Sequence, residues 1–346
     1  MITVVIPTNR YTCIKKILQD CICSYNGKLF LFEIHDSSCD NRIEILINKI
    51  AKTSSATIHY FHYNSDISAD FKAIQALRKV NTAFFWLMGD GILVDFTKME
   101  NLFIKEKYWQ FDLIDVESIL RIGYLGQDSK YQPNRLYSCL NPKEYAKKYF
   151  SHLTYWGASL IKTAFYQDAF SNEILGKYVK ENIPWWIACS LFDVVAKMYQ
   201  QKQSVTLGVI YADGIGANTE KKDHWWTHDK RYYEYTFVNF NRGIELLSCW
   251  YEPTDKKQII KQFRQDSLVS KRYLIHLRRI GTLNVRSVRK YKFAIYNIPS
   301  TYMLMFLYSL IPRCIALIAD EAQVCLKPIY IKLKKGVSRV LCKSIQ

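Results

Sequence analysis

The sequence predicts an α/β fold: a mostly parallel sheet with flanking helices, followed by a basic, mainly α-helical C-terminal region. Three observations predict it. Over the first ninety residues the apolar pattern switches repeatedly between a two-residue period and one of about 3.6 residues. The strand-like runs end in polar turns, three of the first four carrying an Asp. The formal charge of +17 is divided unevenly, +16 over residues 256–346 and +1 over residues 1–255.

The elements follow in order. Residues 2–6 form a β-branched run that closes at Pro7, and residues 12–24 carry Ile14, Ile17, Leu18, Cys21 and Ile22 at helical spacing. Residues 29–35 read as a second strand, 41–51 as a helix, 56–63 as a third strand, 68–79 as a helix and 82–88 as a fourth strand. Such alternation implies right-handed crossovers and a mostly parallel sheet. Residues 112–117 predict a further strand, 183–200 an apolar helix, 204–211 the last strand, and 229–249 an aromatic helix. The expected domains are 1–250, a nucleotide-binding body, and 251–346, the basic region.

In open parallel sheets, ligands bind beyond the carboxyl ends of the strands. The residues predicted there are Thr8-Asn9-Arg10, Asp36-Ser37-Ser38, Asn64-Ser65-Asp66 and Gly89-Asp90-Gly91. Each residue singly also suits an ordinary turn or helix cap. Recurrence of acids along one sheet edge favours a shared site.

The chain has 346 residues, 49% of them apolar, enough for a substantial core and against global disorder. Its ten cysteines form no C-x-x-C pair, which argues against a structural zinc site. Without a secretory leader ahead of the first strand, they read as reduced thiols of a cytoplasmic protein. No Walker A sequence occurs, and Gly214-x-Gly216 lacks the remainder of a dinucleotide fingerprint.

Together these strand-end motifs carry a family likeness. Val5-Ile6-Pro7-Thr8-Asn9-Arg10 resembles the opening of family 2 glycosyltransferases of GT-A fold. His35-Asp36-Ser37-Ser38-Cys39-Asp40-Asn41 stands where that family has an Asp-Asp-Gly-Ser-Thr-Asp-like turn. Phe85-Trp86-Leu87-Met88-Gly89-Asp90-Gly91-Ile92-Leu93 resembles its acidic metal and diphosphate motif, with a flavour of the bacterial surface-polysaccharide, abequosyltransferase-like group. The likeness covers residues 2–100 well and 150–200 loosely. It departs at His35, which replaces the first Asp of the turn, and at Asp90, which Gly91 rather than a second Asp follows.

The resemblance implies a GT-A-like, Rossmann-like domain that transfers a sugar, with inversion, from a nucleotide-diphosphate donor, UDP-linked by expectation. The acceptor would be a saccharide or lipid-linked. Pro7, Thr8, Asn9 and Arg10 would border the nucleotide, Asp36 would accept from the nucleobase, and Asp66 would contact ribose or base. Asp66 equally suits a cap for the helix at 68–79. Asp90 would hold a divalent cation, Mn2+ or Mg2+, with His228 or His224 completing its shell. Asp95 is a possible second acid or a helix cap. Glu181 is nearest the family's base position and Asp223 is the alternative. Trp225 and Trp226 could stack on a sugar or pack in the core.

In the basic region, residues 256–292 mix Lys and Arg with apolar residues at helical spacing, and residues 293–312 contain no charge. Asn297, Pro299, Ser300, Thr301, Ser309 and Pro312 interrupt that run, and Tyr296, Tyr302 and Tyr308 suit a membrane interface. The expectation is an interfacial or re-entrant helix on an anionic membrane, peripheral on the cytoplasmic face. Two other readings stay open. One is a nucleic-acid-binding protein, disfavoured because the charge avoids the aromatic-rich body. The other is a catalytically inactive transferase-like scaffold, prompted by the short acidic motif.

Overall fold

The computed structural model describes residues 1–118, 132–171, 173–220, 229–264 and 271–322. The chain forms two compact units, Met1–Asp223 with Arg242–Ile259, and His224–Asn241 with Ile260–Gln346.

The first unit is built on an eight-stranded sheet. Its strands are β1 (Ile2–Thr8), β2 (Phe30–Asp36), β3 (Ile58–His62), β4 (Phe84–Leu87), β6 (Leu113–Ser118), β7 (Leu136–Cys139), β8 (Ser159–Lys162) and β9 (Leu207–Ala212). The order is β3-β2-β1-β4-β8-β6-β9-β7, and β5 (Ile92–Val94) pairs separately with β10 (Ile215–Ala217). The pairs β3/β2, β2/β1, β1/β4 and β6/β9 are parallel. Strand β8 runs antiparallel to both its neighbours, and β7 runs antiparallel to β9. The expected mixed α/β architecture with a mostly parallel sheet is therefore present.

The helices that matter for the site are α1 (Tyr11–Ile17), α2 (Arg42–Ile50), α3 (Ala69–Lys79), α4 (Phe96–Lys105), α5 (Pro142–Leu153), α6 (Thr163–Ser171), α7 (Ile174–Lys180) and α8 (Trp186–Gln200). Their starts follow local chemistry. Ser68 caps α3 through the amide of Phe71, Asp95 caps α4 through that of Lys98, and Asn141 caps α5 ahead of Pro142. Asp95 thus takes the capping role of its two expected ones.

Every residue of β1 is buried, because helices or neighbouring strands cover it on all sides, as a central parallel strand requires. Phe30, Phe32, Trp86, Phe96 and Phe103 pack edge-on and tilted beneath it. The indole of Trp86 donates to the carbonyl of Gly157 at 2.9 Å. Gly157 has φ of +103°, and its amide donates to Leu87 at 2.6 Å, fastening the β8 approach to the end of β4. A side chain there would meet both that conformation and Ile92.

The second unit has its own core: Tyr232, Tyr233, Phe237, Leu274, Leu277, Leu283, Val288, Ile295 and Met305 are buried together. Its helices are α9 (Asp229–Tyr233), α10 (Lys271–Arg279), α11 (Val285–Lys290), α12 (Lys292–Tyr296), α13 (Pro299–Leu310) and α14 (Arg313–Ala322). Arg264 is buried in it, donating to the carbonyls of Ile295 at 2.8 Å and Ala294 at 2.9 Å. Burial pushes that guanidinium down to about 10. The charge step in the sequence falls near residue 255, whereas packing also draws residues 224–241 into this unit, because Tyr232, Tyr233 and Phe237 supply part of its core.

Among the described residues, no single helix is long and apolar enough to cross a membrane. Helices α13 and α14 form a pair bent by 103°.

Candidate active site at the carboxyl edge of the sheet

The parallel register aligns the ends of β1, β2 and β4. Thr8 pairs with Asp36, and the ladder continues from Met88 N–H to the carbonyl of Val5 at 2.8 Å. Three chain segments far apart in sequence therefore turn over the same edge. Asp90 lies at the centre of them and is buried. It accepts from Thr8 Oγ1 at 2.9 Å and from Arg10 Nε at 2.9 Å, while an Arg10 terminal nitrogen closes on its other oxygen. Burial works against the charge on Arg10, but Asp90 outweighs it and holds the guanidinium above its ordinary value. The Arg10 side chain stays 38% exposed, so the cation faces both Asp90 and the solvent over the sheet edge.

Lys72 of α3 is the residue that sequence reasoning missed. It is 1% exposed, and its ammonium donates to the Thr8 carbonyl at 2.5 Å and to Ser37 Oγ at 2.6 Å. Burial pushes it down to about 8, while the charges of Asp36 and Asp90 pull the other way. Its sequence signal is faint: it flanks the buried stripe Ala73, Ile74, Ala76 and Leu77, one position from where a solvent-facing lysine would sit. Asn218 was missed as well. Its side-chain amide donates to the carbonyls of Cys13 at 3.0 Å and Asp90 at 2.9 Å, tying the acidic turn to α1.

Asp36 has no exposed surface. One carboxylate oxygen accepts from Ser38 N–H at 2.7 Å, and the other accepts from Ser38 Oγ at 2.8 Å and Tyr60 OH at 2.9 Å. Burial and Asp36 together raise the Tyr60 phenol, keeping it a donor. The carboxylate thus shapes the turn after β2 from within. His35 stacks on Phe61 at 4.7 Å and contacts Tyr63 and Glu33, so the residue in place of the family's first Asp is part of the packing.

The other expected residues are placed as follows. Pro7 and Thr8 are buried, Asn9 is exposed at the edge, and Asp66 is exposed in the turn before α3, which Ser68 and not Asp66 caps. Glu181 follows α7 with its side chain 41% exposed and lies 3.4 Å from Arg242. Asp223, His224, Trp225, Trp226 and His228 lie outside the described residues. At the start of α8, Trp186 Nε1 donates to Asp70 of α3 at 2.7 Å. Burial pushes the Asp70 carboxyl up, and the indole bond opposes it. At the first turn of α3, Asp70 also suits the role of an ordinary helix-terminal acid.

The donors at Asp90 bear on a divalent cation. A buried carboxylate at this edge is the hard oxygen ligand that Mn2+ or Mg2+ takes. Its oxygens face Arg10 and Thr8, so the guanidinium and a metal ion are alternatives at one carboxylate. A second metal-type donor set lies elsewhere in the sheet. Asp115 and Glu117 share one face of β6, His152 reaches them from α5, and their ligand atoms fall within 4.8 Å of one another. All three are buried, and burial pushes the His152 imidazole down to about 3.

No family model and no curated protein matches the sequence. Among solved structures, the chain is similar to residues 1–349 of TarS from S. aureus, with 12% identity and a TM-score of 0.46 over 89% of this chain and 90% of that one. The same fragment in complex with UDP-GlcNAc is similar with 11% identity and a TM-score of 0.45, over 89% and 90%. The chain spans 54% of a longer TarS chain. It is also similar to the mannosyltransferase PcManGT from Pyrobaculum calidifontis in complex with GDP-Man and Mn2+, with 13% identity and a TM-score of 0.43 over 93% and 86%.

Proposed function

We propose that this protein is an inverting, GT-A-like glycosyltransferase that takes a sugar from a nucleotide-diphosphate donor, UDP-linked, and passes it to a saccharide or lipid-linked acceptor in bacterial surface-polysaccharide synthesis. The observation that carries the reading is the convergence of Arg10, Lys72 and Asp90 with the Asp36 turn at one carboxyl edge of parallel strands. A cation that is partly exposed, above a second cation that is buried, suits a leaving diphosphate, on which negative charge grows as the glycosyl bond breaks.

The roles follow from position. The Thr8–Arg10 segment and the Asp36 turn border the nucleotide. With Nε and one terminal nitrogen held by Asp90, Arg10 offers its remaining N–H donors to phosphate oxygens. Lys72 holds the Thr8 carbonyl and Ser37 hydroxyl in place and adds positive charge beneath the phosphates. A bound Mn2+ or Mg2+ would be held by Asp90 and would supply further charge neutralisation at the diphosphate. His228 is its proposed second ligand. The acceptor hydroxyl needs a base; Glu181 and Asp223 are the residues drawn from the resemblance, and Asp70, with its raised carboxyl, is a third. Asp66 is proposed at the ribose, and Trp225 and Trp226 at the sugar.

The acceptor would be met at the cytoplasmic face of the membrane, where the basic second unit is attracted to anionic lipid. The test is a thermal-shift screen of nucleotides and nucleotide-sugars, with and without manganese, followed by turnover of the donors that bind. UDP-GlcNAc and GDP-Man are the first two donors to try. A ligand at one hundred times its dissociation constant adds about 2.7 kcal/mol of stability. Stabilisation by a nucleoside diphosphate with sugar release supports the reading. Stabilisation without any turnover supports an inactive scaffold, and RNA binding without nucleotide binding supports the nucleic-acid alternative.

A further inference from the structure

Helix α13 is apolar on its exposed face as well as on the face packed in the core. Thr301, Met305 and Ser309 lie along its buried line, two of them hydroxyl residues. Met303, Leu307 and Leu310 lie along its exposed line, each 55–56% exposed. Their spacing of four and three puts them on one face. Helix α14 likewise leaves large apolar side chains outside. Ala316 and Asp320 are buried, while Ile315, Leu317 and Ile318 are exposed, Ile318 at 68%. Just before α13, Phe293 and Tyr296 of α12 are also exposed, Phe293 at 79%. A run of large apolar side chains this dense exceeds the scattered exposure normal for a soluble surface.

Polar bonds fix this orientation within the second unit. Asp320 accepts from Arg279 Nε at 2.9 Å and meets His276 Nδ1 at 3.1 Å. Arg313 donates to the carbonyl of Arg279 at 3.1 Å, and Arg278 donates to that of Ile311. The charged groups hold α14 and the bend to α10, and the apolar groups are left outside.

We propose that α13 and α14 form a wedge that seats in one leaflet of an anionic phospholipid bilayer. The dimensions fit one leaflet. At about 1.5 Å per residue neither limb reaches the roughly 30 Å needed to cross the hydrocarbon core. The 103° bend turns the second limb nearly crosswise to the first, so the two do not run on as one straight span. The charge fits an anionic surface: residues 271–322 contain nine Lys and Arg against Asp320 and Glu321. Arg286, Arg289, Lys290 and Lys292 precede the apolar run, and within it Tyr296, Tyr302 and Tyr308 are residues of the kind that suit an interface. This attachment differs from charge attraction alone, because hydrocarbon burial persists when salt screens the cations.

The experiment uses the full-length protein, sedimented with phosphatidylcholine vesicles containing phosphatidylglycerol at low salt and in 1 M salt. The comparison is with the Met303→Glu/Leu307→Glu/Leu310→Glu protein and the Arg286→Gln/Arg289→Gln/Lys290→Gln protein. Circular dichroism and the thermal shift with nucleotide check the fold of each, so that failure here is separable from failure of the transferase reading. The expected result is salt-resistant binding of the native protein, lowered at least about tenfold in the glutamate variant. The glutamine variant should bind less at low salt and keep its salt-resistant fraction. Complete release of the native protein by salt overturns the proposal. So does equal salt-resistant binding by the glutamate variant. A lipid-free dimer that the glutamate changes dissociate would instead assign the face to a second copy, and retained RNA binding without vesicle binding would assign the charge to nucleic acid.

Discussion

Arg10 and Asp90 form the ion pair on which the candidate site turns: Nε lies 2.9 Å from one carboxylate oxygen, and a terminal nitrogen of the same guanidinium closes on the other. A fork against a carboxylate is rigid, so Asp90 fixes where Arg10 can place its charge. Asp90→Ala should therefore lower sugar transfer by at least about a hundredfold, the scale for losing a preorganised group at a developing anion. Nucleoside affinity should fall much less. Kinetics with and without chelator then separate the two cations. If the native enzyme keeps its rate in chelator, Arg10 carries the charge alone and Arg10→Gln should match the loss in Asp90→Ala. A near-native rate in Asp90→Ala refutes both roles.

Asp36 should matter for the nucleoside and not for the diphosphate. Its carboxylate shapes the turn through Ser38 and Tyr60, and a lost charged hydrogen bond is worth about 1.5–3 kcal/mol. Asp36→Ala is expected to weaken UDP at least about tenfold while leaving inorganic diphosphate binding within about twofold. Calorimetry checks it. Equal weakening of both ligands would show that the whole edge had moved, and unchanged UDP affinity would remove Asp36 from the base site.

Lys72 gives a pH dependence with a defined sign. Its ammonium is pushed down to about 8 in the folded chain, below its ordinary value near 10.5. Between these values the unfolded chain binds more protons, so this residue's contribution to stability is lowest below about pH 8 and rises toward pH 10.5. The melting temperature of the native protein should gain on that of Lys72→Met as pH rises from 7 to about 9.5. Diphosphate affinity should move oppositely, weakening through about pH 8 in the native protein and staying flat in the variant. A constant melting difference across that window would contradict the shift.

Asp70 and Trp186 test the base. If Asp70 removes the acceptor proton, Asp70→Asn should cut the rate at saturating donor about a hundredfold or more and leave donor affinity unchanged. Trp186→Phe removes the indole donor, which opposes the upward shift, so the acid limb of the pH–rate profile should move up. Loss of rate with Glu181→Gln but not with Asp70→Asn would return the role to Glu181.

Much of the fold was legible because it is written locally. Strand-helix alternation placed β1 to β4, β6 and β9 within a few residues, since β-branched, aromatic and apolar runs bounded by polar turns can be read from the local sequence alone. Of the three- and four-residue strands, β4 was legible because it lies inside the longer apolar run 82–88, whereas β5, β7, β8 and β10 were not. They are too short to show a period, and they exist because a neighbouring strand supplies their hydrogen bonds. The antiparallel insertion of β8 between β4 and β6 has the same origin.

The sequence by itself determined that Thr8, Arg10, Asp36 and Asp90 stand at strand ends, and that the charge is divided between a neutral body and a basic tail. Only the tertiary structure decided their partners. Arg10 meets Asp90 across 80 residues, and Lys72 meets Thr8 across 64. Asn218 reaches the Asp90 carbonyl across 128. The physical reason is that a turn residue's type follows from its own backbone, whereas its partner follows from which strands lie side by side. Likewise, composition could mark residues 293–312 as apolar, but which side chains of α14 are left outside was set by the polar bonds of Arg279, Arg313 and Asp320.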